Sequence, residues 1–268
     1  MLRRSGKEEL DVPVILEEPL TSESCCKLIS ELVKYILYQK QQIPLTYEYL
    51  LRMNDATVGA NDRNLTIART TLECLQNISD NLYVELCRGS NFVREIVISM
   101  GATMLSPKLC IRVSLPLGIL DGRCHLTQQH SSRKPLLSLM KSITESADFQ
   151  NAMTMPLGLT NTFILLQKND CNSVSEFFLP KPRYTMPIGA LGSRFHIKLN
   201  HQDQYTNNCS CDNLIKVYHD QDSSSSNLGA GRTIPEVEKV TTSIEPSKTK
   251  AYQWFQSRAV IKGFKFSR

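Results

Sequence analysis

Residues 21–44 read TSESCCKLISELVKYILYQKQQIP, and the rest of the chain is read outward from them. Cys25, Leu28, Ile29, Leu32, Val33, Ile36 and Leu37 recur at spacings of three and four, which places them on one stripe of an amphipathic helix. Thr21 or Ser22 can cap its first turn, Glu23 suits the positive end of the helix dipole, and Lys40 suits the negative end. Pro44 stops it. At about 1.5 Å per residue the helix is roughly 30 Å long, enough to cross a domain.

Upstream, residues 1–20 are a polar lead with Pro13 and Pro19, expected to be extended and to precede a single domain over 21–268. Downstream, residues 53–63 are polar with Gly59 and read as a loop. Leu65, Ala68, Leu72, Leu75, Ile78, Leu82 and Leu86 mark a second helix, with a short helical continuation from Phe92 to Met100. The period then switches to two: Leu109, Ile111, Val113 and Leu115 alternate with Cys110, Arg112 and Ser114, a half-buried strand. A third helix starts near Pro135, after Ser131-Ser132, carries Leu136, Leu139, Met140, Ile143 and Ala147 on its apolar stripe, and must end before Pro156.

Thr162 to Gln167 holds the continuous run Phe163-Ile164-Leu165-Leu166, as in a strand covered on both faces. Phe195, Ile197 and Leu199 mark a half-exposed strand, and residues 214–218 another. Residues 220–250, with four consecutive serines from Ser223, predict a flexible insertion. Order is expected to return at Tyr252-Gln253-Trp254-Phe255, and the chain ends on Val260-Ile261-Lys262-Gly263-Phe264-Lys265-Phe266. Such rings would stay exposed unless the tail folds back onto the main sheet. Helices followed by strands, without a βαβ alternation, predict an α+β fold with helices packed on an antiparallel sheet.

The 268 residues are 41% hydrophobic and 21% charged, with 12 Gly and 12 Pro, which excludes collagen-like, low-complexity and wholly disordered classes. The apolar runs are too short to cross a bilayer, and the N-terminus turns acidic where a signal peptide would become apolar. A soluble, unexported protein is expected. The net charge of +5 is spread along the chain, so neither nucleic acid nor membrane is an expected partner. Nine Cys without an export signal read as reduced thiols. Cys124-His125 with His130 lacks a fourth ligand, so no metal or cofactor is expected.

Phosphate-loop, dinucleotide, nucleophile-elbow and zinc-protease motifs are all missing from the sequence. The five His (125, 130, 196, 201 and 219) fall in loops or on an exposed strand face, without a carboxylate partner at helical or strand spacing. The chain is therefore expected not to be an enzyme. A site assembled from distant residues would be marked by a deep polar cleft holding a His–carboxylate pair.

Four segments in order resemble the comet family. They are Glu23-Ser24-Cys25-Cys26 leading to Tyr38-Gln39-Lys40-Gln41-Gln42-Ile43-Pro44-Leu45; Leu105-Ser106-Pro107-Lys108; Phe178-Leu179-Pro180-Lys181 followed by Tyr184 and Pro187; and Tyr252-Gln253-Trp254-Phe255-Gln256 ending in Lys262-Gly263-Phe264. The resemblance covers most of 12–200 and 250–266. It implies a HORMA-like fold: three main helices on a mainly antiparallel sheet, with the C-terminal segment wrapped on as a safety belt. It implies a non-enzymatic adaptor that binds the closed conformer of the mitotic-arrest-deficient-two HORMA protein. The adaptor would hand that conformer to a Pch-type AAA+ ATPase for opening, which silences the spindle checkpoint. Residence in nucleus and cytoplasm, at spindle or kinetochore in mitosis, is implied as well. By the same resemblance Gln39 and Met140 would bind the checkpoint partner, and Pro180 and Lys181 would contact the ATPase. The alternative is a HORMA protein that clasps a client peptide with its own C-terminal belt.

Overall fold

Helix α1 (Ser22–Gln39) opens on a capping box: Thr21 Oγ1 accepts the Ser24 N–H at 3.1 Å and Ser24 Oγ accepts the Thr21 N–H at 2.8 Å. It closes with Gln42 N–H donating to the Leu37 carbonyl (2.8 Å) and Gln41 N–H to the Tyr38 carbonyl (2.9 Å), the two bonds of a Schellman turn. Gln41 takes the left-handed position at φ 53°, where glycine is usual. The expected stripe is buried from Cys25 to Leu37.

The computed structural model describes residues 9–18, 20–56, 63–88, 93–116, 119, 131–169, 175–187, 192–201 and 252–266. Around α1 these form β1 (Leu10–Leu16), α2 (Tyr47–Ala56), α3 (Arg63–Cys87), β2 (Val93–Gly101), β3 (Pro107–Ser114), α4 (Arg133–Glu145) and α5 (Ala147–Thr154). They continue with β4 (Asn161–Lys168), β5 (Phe178–Pro180), β6 (Ser193–His201), β7 (Gln253–Ser257) and β8 (Ile261–Lys262). The strand expected at 214–218, the insertion at 220–250, and the Cys124-His125 and His130 positions lie outside the described residues.

The strands make one sheet in the order β1-β6-β3-β2-β4-β7-β5, with β8 also paired to β4. The pairs β1–β6 and β3–β6 are parallel and the others antiparallel. Helices and a mainly antiparallel sheet make the fold α+β. One face of the sheet (Ile96, Ile98, Ile111, Val113, Ile164, Leu166, Phe195, Ile197) shares the main core with α1, α3, α4 and α5. Within that core Lys168 Nζ meets Glu85 Oε2 at 2.8 Å, both side chains nearly inaccessible, beneath the Phe255 ring. The other face carries a smaller cluster of Val97, Cys110, Phe163, Leu165 and Tyr184.

Several expectations are corrected. Residues 93–101 form the strand β2, between β3 and β4, rather than a helical continuation. Spacings of three and four arise there because both faces of the strand are buried. The loop read at 53–63 is preceded by the helix α2, which runs through its first residues. The single third helix is two, broken at Ser146, whose extended backbone ends α4 and whose hydroxyl accepts the Phe149 N–H of α5. Strands β3 and β6 are covered on both faces over most of their length, not half-exposed. Within the polar lead, Leu10–Leu16 is a strand of the sheet paired to β6.

The tail returns as expected. Strand β7 pairs with β4 (Leu166↔Phe255) and β8 follows (Thr162↔Ile261), burying Phe255, Ile261 and Phe264. Burial of such side chains stabilises by about 1.5–3 kcal/mol each. The segment is fastened by Gln42: its backbone carbonyl accepts the Phe264 N–H at 2.8 Å, and Gly263 N–H donates to Thr160 O at 2.9 Å. A Cβ on Gly263 would overlap Gln42 Oε1 and come within 3.2 Å of Gln42 Cδ and Thr160 O.

Candidate functional site

Gln39 is the last residue of α1, on the flank of its buried stripe, and is half-buried. Its neighbours diverge: Tyr38 is 45% exposed, whereas Lys40 turns inward and donates to the carbonyls of Ala152 and Met155 at the end of α5. Burial holds the Lys40 ammonium below its ordinary pKa. The end of α1 is therefore pinned to α5. Met140 follows the fully buried Leu139 on α4, packs against the main core and keeps part of its surface outside. Periodicity alone would make it core; the structure makes it a rim residue, with Leu137 exposed one turn before. Helix α1 packs on both α4 and α5, and Tyr35 and Gln150 exchange hydrogen bonds across the seam (3.3 and 3.5 Å).

Pro180 and Lys181 lie elsewhere. Pro180 ends β5, is exposed, and opposes Phe255 in the register of β5 with β7. Lys181 N–H donates to the Trp254 carbonyl at 2.7 Å, and Tyr184 N–H to the Lys181 carbonyl at 3.0 Å, so the loop is tied at both ends of a turn. Tyr184 stacks edge-on against Trp254 (5.7 Å), and burial pushes its phenol pKa up to about 12. Helix α4 packs on β1, at one edge of the sheet, while β5 is the opposite edge. The two candidate pairs are not brought together.

Sequence reasoning missed a polar network on the outer face of β1, β6, β3 and β2, and here the expectation for histidine is corrected. His196 is 9% exposed; its Nε2 lies 2.7 Å from Ser114 Oγ, and its Nδ1 lies 3.3 Å from Asp11 Oδ1 and 3.0 Å from Arg112. Arg112 also pairs with Glu9 (2.5 Å) and Glu95 (3.3 Å). No spacing within one strand could show this, because the partners come from three strands joined only by the fold.

The order Ser–His–Asp invites comparison with a nucleophilic triad, yet the protons run the other way. A guanidinium only donates, so Nδ1 accepts from Arg112 and the ring proton sits on Nε2, pointing at Ser114. Ser114 in turn donates to Glu95 Oε1 at 3.3 Å. A ring that already donates to the serine cannot take its proton. Burial, then Arg112, hold the His196 pKa below its usual value, keeping the ring neutral. The network stitches strands together. Among the described residues no cluster of His, Cys, Asp and Glu could hold a metal, and no helix is long and apolar enough to cross a membrane.

A model of the p31comet family, described as Mad1 and Cdc20-bound-Mad2 binding, matches residues 5–215. A mouse (Mus musculus) protein named MAD2L1-binding protein is 28% identical over 193 residues, and a Homo sapiens protein of the same name is 26% identical over 191. Each match takes in 66% of this chain and spans 65% of the mouse and 66% of the human protein's length.

Proposed function

This chain belongs to the p31comet family, and from that membership we propose that it is a non-enzymatic adaptor for a checkpoint HORMA protein. It binds the closed conformer through a face that includes Gln39 and Met140. Through Pro180 and Lys181 it presents that conformer to a Pch-type AAA+ ATPase, which returns it to the open form and so silences the mitotic checkpoint. The work takes place in nucleus and cytoplasm, at spindle or kinetochore in mitosis. The fold is HORMA-like, with β7 and β8 as the belt. The name MAD2L1-binding protein, borne by both relatives, supports the first contact.

The observation that carries the reading is the packing of α1 on α4 with Gln39 and Met140 each half-exposed on them. Rigid helices present a preformed surface at little ordering cost. A half-exposed methionine offers an adaptable apolar contact, and a glutamine at the flank offers a donor and an acceptor. A standard interface needs roughly 800 Å² per partner with a few anchors worth ~2 kcal/mol or more. The tail pinned by Gln42 supports an adaptor over a protein that opens its belt around a client peptide.

The test pairs two double variants. Gln39→Ala with Met140→Ala should weaken binding of the closed partner on the order of tenfold or more, with an unchanged thermal melt. Pro180→Ala with Lys181→Ala should spare that binding and abolish ATPase-driven conversion. Normal pull-down by the first variant, or conversion at the normal rate with the second, overturns the corresponding contact.

A further inference from the structure

We infer that the groove beside Pro180 and Lys181 is the seat of an acidic segment carrying one bulky apolar side chain, borne by the remodelling ATPase proposed above. This rests on that reading and deepens it. The groove has a volume of about 530 Å³ and lies between the β2–β3 hairpin turn and the loop after β5. Phe163 and Tyr184, 9% and 8% exposed, make its base, and Leu105 stands 67% exposed at its edge. A single apolar side chain so exposed is ordinary; one that lines an apolar recess adds contact area for a side chain inserted by a partner.

Charge decides the occupant. Lys181 and Arg183 both line the groove, no carboxylate does, and neither cation has an ion-pair partner among the described residues. Two unneutralised cations beside an apolar base favour an acidic partner and penalise a basic one. Both walls are preformed. At the hairpin, Thr103 and Ser106 share a 2.9 Å hydroxyl contact, and a Cβ on Gly101 would stand 2.6 Å from the Ser106 carbonyl. Opposite, Lys181 and Tyr184 are tied by backbone hydrogen bonds and Pro182 restricts the turn between them. Little ordering is left to do on binding.

The sequence marks the same place. Leu105 opens the segment Leu105-Ser106-Pro107-Lys108 and Lys181 closes the segment Phe178-Leu179-Pro180-Lys181, and the fold brings these two residues, with Tyr184, to one groove. The checkpoint-partner face on α1 and α4 uses neither.

The experiment measures binding of the purified full chain to a hydrolysis-deficient Pch-type AAA+ hexamer by biolayer interferometry, at low and high salt. Leu105→Asp, at an exposed position, should weaken binding on the order of tenfold or more, because it removes apolar lining from the partner's anchoring side chain and sets a carboxylate beside an acidic segment. Arg183→Glu should slow association and reduce its salt dependence. Neither should alter pull-down of the closed checkpoint partner. Full affinity in both variants, while Pro180→Ala with Lys181→Ala still weakens binding, overturns the groove and leaves the ATPase contact standing. If the unmodified chain does not bind the hexamer, or the Pro180 and Lys181 variant binds it unchanged, the ATPase reading falls and the groove with it.

Discussion

Gly263→Ala tests whether the C-terminal segment is held as the structure indicates. The side chain of Gln42 is fully buried and saturated. Nε2 donates to the carbonyls of Lys40 (2.9 Å), Leu157 (3.2 Å) and Gly158 (3.3 Å), and Oε1 accepts the Thr160 N–H at 2.8 Å. A methyl on Gly263 claims the space of Oε1. The carboxamide must then turn, which takes the acceptor from the half-buried Thr160 N–H at about 1 kcal/mol or more and strains the three contacts made by Nε2. A loss of about 2–3 kcal/mol follows, a large part of a total stability that is typically 5–15 kcal/mol. Urea unfolding followed by the fluorescence of Trp254, the single tryptophan, reads the segment directly because Trp254 lies in β7. The decisive measurement is a double-mutant cycle. In a Gln42→Ala background the clash is gone, so Gly263→Ala should cost less than about 0.5 kcal/mol. Additive losses, or a single variant as stable as the parent, would refute the mechanism.

Three further outcomes follow from the same structure. Glu85→Leu leaves the Lys168 ammonium buried without its carboxylate and should cost about 3–5 kcal/mol in urea unfolding, most of it recovered when Lys168→Met is added; no recovery would count against an electrostatic cause. Gln41→Gly relieves a left-handed residue and should raise stability by about 0.5–1 kcal/mol, read as a higher urea midpoint, whereas a lower one would show that Gln41 makes contacts worth more than its strain. Acidification should destabilise the protein. Burial and Arg112 depress the folded pKa of His196, and burial that of His201, so the unfolded chain binds protons first as pH falls below about 6.5. The contribution of these two histidines is level above that pH and declines beneath it, with Asp11, held low chiefly by Lys198, adding to the loss near the carboxylate range. His196→Gln should flatten the slope below about pH 6.5, and an unchanged slope would refute the assignment.

What could be read in advance follows contact distance along the chain. Helices α1 and α3 were legible from end to end because a surface helix writes its burial into spacings of three and four. The run Phe163–Leu166 was legible as a strand buried on both faces, and the returning aromatic tail from the area it would otherwise expose. Val93–Gly101 misled because a strand buried on both faces has no period of its own, so its apolar positions can mimic a helix. Val12, Val14 and Leu16 of β1 alternate as strand residues do, within a stretch read only as a polar lead; Pro13 fits there because Pro is tolerated on an edge strand, and β1 is one. The His196 network, the Gln42–Gly263 fit and the groove under Leu105 each join residues far apart in sequence. In each, one partner's residue type is unremarkable until the fold supplies the other.

The separation of the two candidate surfaces bears on the adaptor reading itself. From β1, beneath α4, to β5, which ends in Pro180, there are six inter-strand steps. At about 4.8 Å each these amount to roughly 29 Å across the sheet. A standard docking patch of roughly 800 Å² is about as wide as that span, so a partner centred on α1 and α4 need not cover the β5 edge. Had Met140 and Lys181 shared an edge, one partner would have displaced the other, and bridging would have been impossible whatever the affinities. What lies between them is stiff. The end of α1 fixes Gln42, Gln42 fixes Gly263 and Phe264, and the C-terminal segment supplies β7, on which β5 is hydrogen-bonded. The turn that pins the C-terminal segment therefore also sets the position of the second surface relative to the first, which is why the Tyr38–Leu45 run and the Lys262-Gly263-Phe264 triplet belong to one structural unit.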